Sequence, residues 1–340
     1  MTVQNTRVLF THAPTGWPQS SDFTVDKTQL DLELPLSDGQ LLVKTLYLSL
    51  DPYMRGRMNV DKASYIAPWK LNEPASGGTI LEVIRSTDPK FTKGDILVSR
   101  STWESYAVVA SSSCQKIHPD GIPLSYYVGV LGMPGLTAYV GLRIGKPKEG
   151  ETIYISAASG AVGQIVGQLA KMKGLRVVGS AGSDAKVAYL RDLGFEAFNY
   201  KTMEHEDAMR KYCPNGIDIY FENVGGATLD NVLVHMNNHG RIPLCGMISQ
   251  YNSSPETAYG VKNLMLAVGK RLELTGFIVS DHLADSKQFL NEMTQWIREK
   301  RITYKEDVVE GLEKAPEALI GVLKGENFGK RVVKVEISGT

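Results

Sequence analysis

The 340-residue chain has only three cysteines, Cys114, Cys213 and Cys245, widely separated and odd in number. That excludes a disulfide framework and fits a reducing compartment. Net charge is also missing, since Lys plus Arg and Asp plus Glu both number 37. No excess of one sign draws such a chain to DNA, RNA or an anionic membrane. No apolar run approaches the roughly 20 residues that span a bilayer, and the polar N-terminus does not read as a secretory signal. A soluble, cytoplasmic protein is expected, with neither nucleic acid nor membrane as partner. Metal-ligand strings are absent as well. The six histidines (His12, His118, His205, His235, His239, His282) are scattered, and none joins a Cys/His cluster. His235 and His239 are expected in a crossover helix and its end, but no partnering Glu motif accompanies them. There is no Gly-x-Ser-x-Gly elbow, internal repeat or low-complexity segment.

The length argues for two domains. Up to about residue 125 the chain carries β signals without a persistent helical period. Leu41–Leu48, Thr79–Ile84 and Gly94–Val98 read as strands between turn residues, which predicts an irregular, barrel-like β domain. From about 126 strands and helices alternate. Strands are expected at 152–156, 175–179, 196–199, 217–222, 240–245 and 272–279. Helices are expected at 161–173, 184–193, 226–237 and 283–299. This alternation predicts an α/β doubly wound parallel sheet with helices on both faces. The tail Lys330–Ile337 alternates like a half-buried antiparallel strand. It is expected to return to the first domain, giving residues 1–125 plus 311–340 as one domain and 126–310 as the other.

Within the second domain an apolar run, Tyr154-Ile155, leads into Ser156-Ala157-Ala158-Ser159-Gly160-Ala161-Val162-Gly163 and then a helix with Ile165, Leu169 and Met172 on one face. Small residues there let the backbone approach a bulky anion, and helix N–H groups with the positive dipole end suit a phosphate. Ala158-x-Gly160-x-x-Gly163 is thus a dinucleotide fingerprint with alanine at its first glycine position. An acid at the end of the second strand would select NAD. Here that strand runs Arg176-Val177-Val178-Gly179 into Ser180-Ala181-Gly182-Ser183, with no acid. Asp184 is expected to cap the next helix. Lys186 then falls in the first turn, where the dipole disfavours a cation. An ordinary solvated lysine is one reading. A partner for a 2′-phosphate is the favoured one, and it selects NADPH/NADP+.

Long blocks carry a family resemblance. They are Leu48–Met58 (with Asp51-Pro52-Tyr53-Met54-Arg55), Leu131–Tyr139, Phe221–Gly226, Cys245–Asn252 and Leu323–Lys330. With these the chain resembles the zinc-independent medium-chain dehydrogenase/reductases. Among them it is similar to the leukotriene B4 12-hydroxydehydrogenase/prostaglandin reductase family, whose alkenal and curcumin reductase branches look nearest. The resemblance implies a GroES-like β-rich N-terminal domain beside a Rossmann domain, and an NADPH-dependent enzyme reducing the carbon–carbon double bond of enones and enals. It implies cofactor contacts at Gly160, Ala161, Val162, Gly163, Lys186, Tyr200 and Asn223. The loop Cys245, Gly246, Met247, Ile248, Ser249, Gln250 and Tyr251 would follow the fifth strand. Phe277, Ile278 and Val279 would form a strand flanking the nicotinamide, with Asn327 near the C-terminus. Core packing is the competing reading for the apolar members. Zinc-dependent relatives need a Gly-His-Glu string where this chain has Pro74–Ile80, so the metal assignment is none.

Without a Lewis acid, hydride addition to the β carbon needs aligned cofactor and neutral donors for the developing enolate. Tyr53 and Tyr251 occupy the matching motifs and are the candidate catalytic residues. Arg55 and Arg57 read either as attractors of an acidic substrate or as a domain-interface salt bridge. A zeta-crystallin-type quinone reductase is the alternative activity. A non-catalytic NADPH-binding structural or RNA-binding protein is the alternative outside enzymes. A homodimer is the family expectation, with 272–279 as a sheet edge open to pairing.

Overall fold

The structure, a computed structural model, describes residues 1–61 and 64–335. The chain divides into two compact units. The first comprises Met1–Gly129, Glu306–Asn327 and the chain from Arg331; the second comprises Val130–Lys305 and Phe328–Lys330. The divisions at Gly129/Val130 and Lys305/Glu306 replace the expected 125/126 and 310/311.

In the first unit β1 (Thr2–Phe10) and β2 (Phe23–Asp31) form an antiparallel hairpin. Next come β3 (Gln40–Ser49), a one-turn α1 (Met54–Arg57), β4 (Glu73–Pro74), β5 (Ser76–Ser86), β6 (Ile96–Thr102), β7 (Tyr106–Ala110) and β8 (Gln115–Ile117). A buried core centres on Phe10, Phe23, Trp69 and Trp103, whose rings pack with centroids 5.4–6.0 Å apart. Such contacts add to the large apolar area that aromatic side chains bury.

The second unit opens with α2 (Met133–Ile144) and continues through β9 (Thr152–Ile155), α3 (Gly163–Met172), β10 (Arg176–Ala181), α4 (Asp184–Asp192), β11 (Glu196–Asn199), α5 (His205–Tyr212), β12 (Ile217–Phe221), α6 (Gly226–His235), β13 (Met236–Leu244), α7 (Leu266–Lys270), β14 (Glu273–Gly276) and α8 (Ser286–Arg298). Its six strands are parallel, in the order β11-β10-β9-β12-β13-β14. This is the dinucleotide-fold order, whose direction reverses between the first strand, β9, and the fourth, β12; ligands bind beyond the strand ends at such a point. All four residues of β9 are buried, as a central parallel strand requires. The chain then returns to the first unit through β15 (Glu306–Glu310) and α9 (Ala315–Leu323), and β16 (Lys330–Lys334) pairs antiparallel with β3, Val333 opposite Leu48. A seven-stranded sheet results, β15-β16-β3-β5-β6-β8 with β7 also on β3. The end of the expected tail strand, Glu336 and Ile337, lies outside the described residues.

Four local expectations are corrected. β14 stops at Gly276 because its partner β13 ends opposite it at Leu244. Phe277 and Ile278 therefore follow the strand, and Val279 opens a 3-10 turn running to Asp285. β13 starts directly after His235, and His239 sits inside it at a φ of 63°, so the two histidines share no helix face. The cap of α4 is Ser183, whose hydroxyl accepts the Lys186 N–H at 3.4 Å, because Ser183 and not Asp184 has the extended backbone of a cap. Helices α1, α2, α5, α7 and α9 were not foreseen: Pro134 and Gly135 obscure the apolar period of α2, and α1, α5 and α7 are short.

Candidate functional site

The fingerprint turn is built by close packing. Ala158 N–H reaches Ser180 O across to β10 at 2.9 Å, and Gly160 N–H closes the turn on Ala157 O at 3.0 Å. A Cβ on Gly163 would stand 2.6 Å from Ala157 O and 2.7 Å from Ala158 Cα, so only glycine fits. The alanine at the first fingerprint position is accommodated from the neighbouring strand: a Cβ on Gly179 would meet the Ala158 methyl at 2.6 Å. α3 has no side-chain cap, and the N–H groups of Ala161, Val162 and Gly163 have no hydrogen-bond partner among the described residues. Three unpaired donors at the positive end of a helix suit an anion such as a pyrophosphate.

At the end of β10 the backbone again admits something close. Tyr200 N–H bonds to Ala181 O at 3.2 Å, and the Tyr200 hydroxyl lies 2.8 Å from where a Cβ on Gly182 would be. The Tyr200 ring is 43 % exposed and stacks on His205, centroids 6.4 Å apart. Burial holds the His205 imidazole below its ordinary value, leaving it neutral. Half-buried Lys186 stands third in α4. The acid nearest to it in sequence, Asp184, is engaged by Asn199 Nδ2 at 2.8 Å. Lys186 and Tyr200 thus flank a strand end that offers no acid to a ribose 2′-OH.

The switch point between β9 and β12 holds a buried polar cluster that the residue pattern alone did not single out. Glu222 is fully buried. Its Oε1 takes the N–H groups of Val224 and Gly225 at 2.6 and 2.8 Å, the Tyr220 hydroxyl at 2.8 Å and the Ser156 hydroxyl at 3.3 Å. Ser156 Oγ accepts Asn223 N–H at 3.0 Å, and Asn223 Nδ2 donates to Ser156 O at 2.7 Å. Burial, only partly offset by these donors, raises the Glu222 carboxyl above the usual carboxylate range. The signal available in the sequence was an acid directly following the apolar triplet Ile219-Tyr220-Phe221.

The loop after β13 is stitched to this corner. Cys245 and Gly246 N–H groups reach Glu222 O, Ile248 N–H reaches Asn223 O, and Ser249 bonds to Val224 O. The Cys245 thiol is pushed up to about 12 by burial and by nearby Glu222, so it is no nucleophile. Gln250 supports the loop through Tyr259 N–H. Tyr251 turns back on it, its hydroxyl accepting Met247 N–H at 3.3 Å. A Cβ on Gly246 would lie 2.8 Å from that hydroxyl, so the tyrosine would have to shift to admit one. Phe277 packs against Gly141 of α2. Ile278 and Val279 are half-buried.

In the first unit Tyr53 is half-buried beside the aromatic core, with the Arg100 guanidinium 5.9 Å from its ring. Burial and then the Asp51 charge push its phenol up to about 12, so it remains an O–H donor at any physiological pH. Arg55 and Arg57 serve this unit's own backbone: Arg55 donates to Gly16 O, and Arg57 to Ala67 O and Ser76 O while lying over Trp69. Asn327 is half-buried after α9, within the first unit. Among the described residues no group of three or more His, Cys, Asp or Glu side chains is placed to hold a metal ion.

Residues 6–117 match a family described as the N-terminal domain of oxidoreductase, and residues 161–298 one described as zinc-binding dehydrogenase. The NADP(+)-dependent 2-alkenal reductase of Nicotiana tabacum is 47% identical over 98% of this chain and 98% of its own. The chain belongs to the medium-chain dehydrogenase/reductases, in the alkenal and prostaglandin reductase branch. The NADPH-dependent curcumin reductase of Escherichia coli is 42% identical over 98% of this chain and 97% of its own. The crystal structure of CurA from Vibrio vulnificus in complex with NADPH superposes with a TM-score of 0.90 at 43% identity, covering 97% and 99% of the two chains. The zinc named by the second family description finds no fitting donor set among the described residues of this member.

Proposed function

We propose that this medium-chain reductase is an NADPH-dependent enone and enal reductase that saturates the carbon–carbon double bond conjugated to a carbonyl. The observation carrying this reading is the pair of strand ends: N–H groups at Ala161–Gly163 with no partner among the described residues, and Lys186 with Tyr200 at the end of β10, where Ser180–Ser183 hold no acid. The relatives' NADP-dependent reduction of alkenals and curcumin supports it. In this account Gly160–Gly163 hold the pyrophosphate, and Lys186 and Tyr200 hold the 2′-phosphate. Asn223 holds the nicotinamide ribose, the loop Cys245–Tyr251 and Phe277–Val279 bound the nicotinamide, and Asn327 makes a further cofactor contact. The second unit is then the NADPH-binding domain and the first the substrate domain.

Bound NADPH supplies hydride to the β carbon of the enone. The protein's part is to orient the acceptor and to meet the negative charge that moves onto the carbonyl oxygen. Tyr53 and Tyr251 are proposed as donors to that oxygen. Tyr53, held protonated by burial, gives a hydrogen bond and not a proton. Tyr251, whose hydroxyl accepts the Met247 N–H, would donate its O–H toward the carbonyl or along a water to the α carbon. A homodimer through the exposed edge β14, next to exposed Leu264, Met265 and Val268, and a cytoplasmic setting complete the proposal. Among the described residues no helix is long and apolar enough to cross a membrane.

The test is NADPH consumption with curcumin, short alkenals, a 15-oxo-prostaglandin and quinones, with NADH as control. Alkenal and curcumin turnover with NADPH well above NADH is expected. Turnover of quinones alone would favour the zeta-crystallin-type activity, and NADPH binding without any oxidation would favour a non-catalytic role.

A further inference from the structure

Buried polar groups are costly unless satisfied, and an unsatisfied one calls for a reason. Glu222 is such a group. One of its oxygens gathers four donors, while Oε2 is buried with no partner among the described residues. An apolar side chain would avoid that cost if the corner needed only to be filled. The cluster lies where β9 and β12 part, the place a doubly wound sheet reserves for ligands. What it holds is specific: Tyr220 and Glu222 fix Ser156, and Ser156 fixes Asn223 at both its backbone N–H and its Nδ2. The half-buried Asn223 carboxamide can then point only one way, and no described residue donates to its Oδ1. A carboxamide oxygen held so is an acceptor waiting for a hydroxyl.

We infer that Glu222 is a positioning residue for the nucleotide, acting through Ser156 to aim Asn223 Oδ1 at a sugar hydroxyl of the bound dinucleotide. The inference rests on the NADPH reading above and adds to it a residue that touches no ligand. Glu222 Oε1 also ties the N–H groups of Val224 and Gly225. These sit at the turn into α6, where Gly225 and Gly226 take φ values of 72° and 57°. The Asn223 backbone is therefore clamped on both sides, and the loop Cys245–Ser249 inherits its place from the same turn. The donor pattern assigns the work to one carboxyl oxygen, so glutamine, which keeps that oxygen, should replace glutamate in this role.

The test is a double-mutant cycle on NADPH affinity, read by cofactor fluorescence, with thermal melting followed in parallel. E222A is expected to weaken NADPH binding about tenfold in the wild-type background. In an N223A background the same change should cost less than about twofold, because the residue through which it acts is gone. E222Q should stay within about threefold of wild type. Equal losses from E222A in both backgrounds would make Glu222 a purely structural residue and overturn the inference, as would an E222Q as weak as E222A. Should E222A fail to fold, S156A replaces it in the cycle with the same expectation and the same refuting outcome. A wild-type chain that binds no NADPH would instead overturn the nucleotide reading itself, a result distinct from a missing coupling.

Discussion

Gly179→Ala tests the account of the altered fingerprint. The new Cβ would lie 2.6 Å from the Ala158 Cβ and 3.4 Å from Leu190 Cδ1. Carbon atoms rest at about 3.5–4.0 Å, so the first contact overlaps by about 1 Å. Both methyls are fixed to backbone, one in β10 and one in the turn after β9, and neither has a rotamer with which to yield. Overpacking of this kind costs about 1–3 kcal/mol, and the absence of a flexible neighbour places it in the upper half. For a unit of this size that is a fall in Tm of about 4–12 °C. Adding Ala158→Gly removes the opposing methyl and should recover most of the loss. The assay is thermal melting of the single and double variants, with NADPH affinity measured alongside, since the distorted turn carries the unpaired N–H groups. A G179A protein that melts with the wild type, or a double variant no better than the single, would refute the claim that Ala158 is accommodated by Gly179.

Lys186→Ala should raise the NADPH dissociation constant about 10–100-fold, the worth of a hydrogen-bonded charge pair, and leave NADH binding unchanged; equal loss for both cofactors would deny Lys186 the 2′-phosphate. Tyr251→Phe removes the acceptor of Met247 N–H and a proposed donor to substrate, so single-turnover NADPH oxidation with an enone should slow about 100-fold or more. Unchanged kcat and KM would remove Tyr251 from the mechanism. Glu222 is raised above its ordinary 4.5 by burial, so between that value and its folded pKa the native state binds more protons than the unfolded state. Stability then falls as pH rises through this window. The E222Q variant lacks this titration, so its Tm relative to wild type should climb from pH 4.5 toward neutrality, and a pH-independent difference would contradict the shift.

The nucleotide unit was largely legible because its signals are local. An apolar run, small residues and a 3.6-residue period mark β9, the turn and α3 within 20 or so residues, and the acid missing after β10 is read directly. α2 escaped because Pro134 and Gly135 stand at its start, where they suit a helix but resemble a turn. The strand expected across 277–279 failed because a strand ends where its partner ends, which only the pairing of β14 with β13 shows. The backbone partners of Arg55 and Arg57 were illegible for the same reason: the carbonyls of Gly16, Ala67 and Ser76 are distant or non-periodic in sequence. The Glu222 cluster draws together Ser156, just after β9, and Tyr220 in β12, 64 residues apart, and no spacing rule joins them.

The central claim concerns which bond is reduced, and isotope transfer reads that bond directly. The purified protein is given NADPH deuterated at the nicotinamide C4 and an alkenal or curcumin, and the product is examined by NMR. The account predicts deuterium at the β carbon, a saturated bond and an intact carbonyl. Deuterium on a carbinol carbon, with the double bond retained, would contradict it.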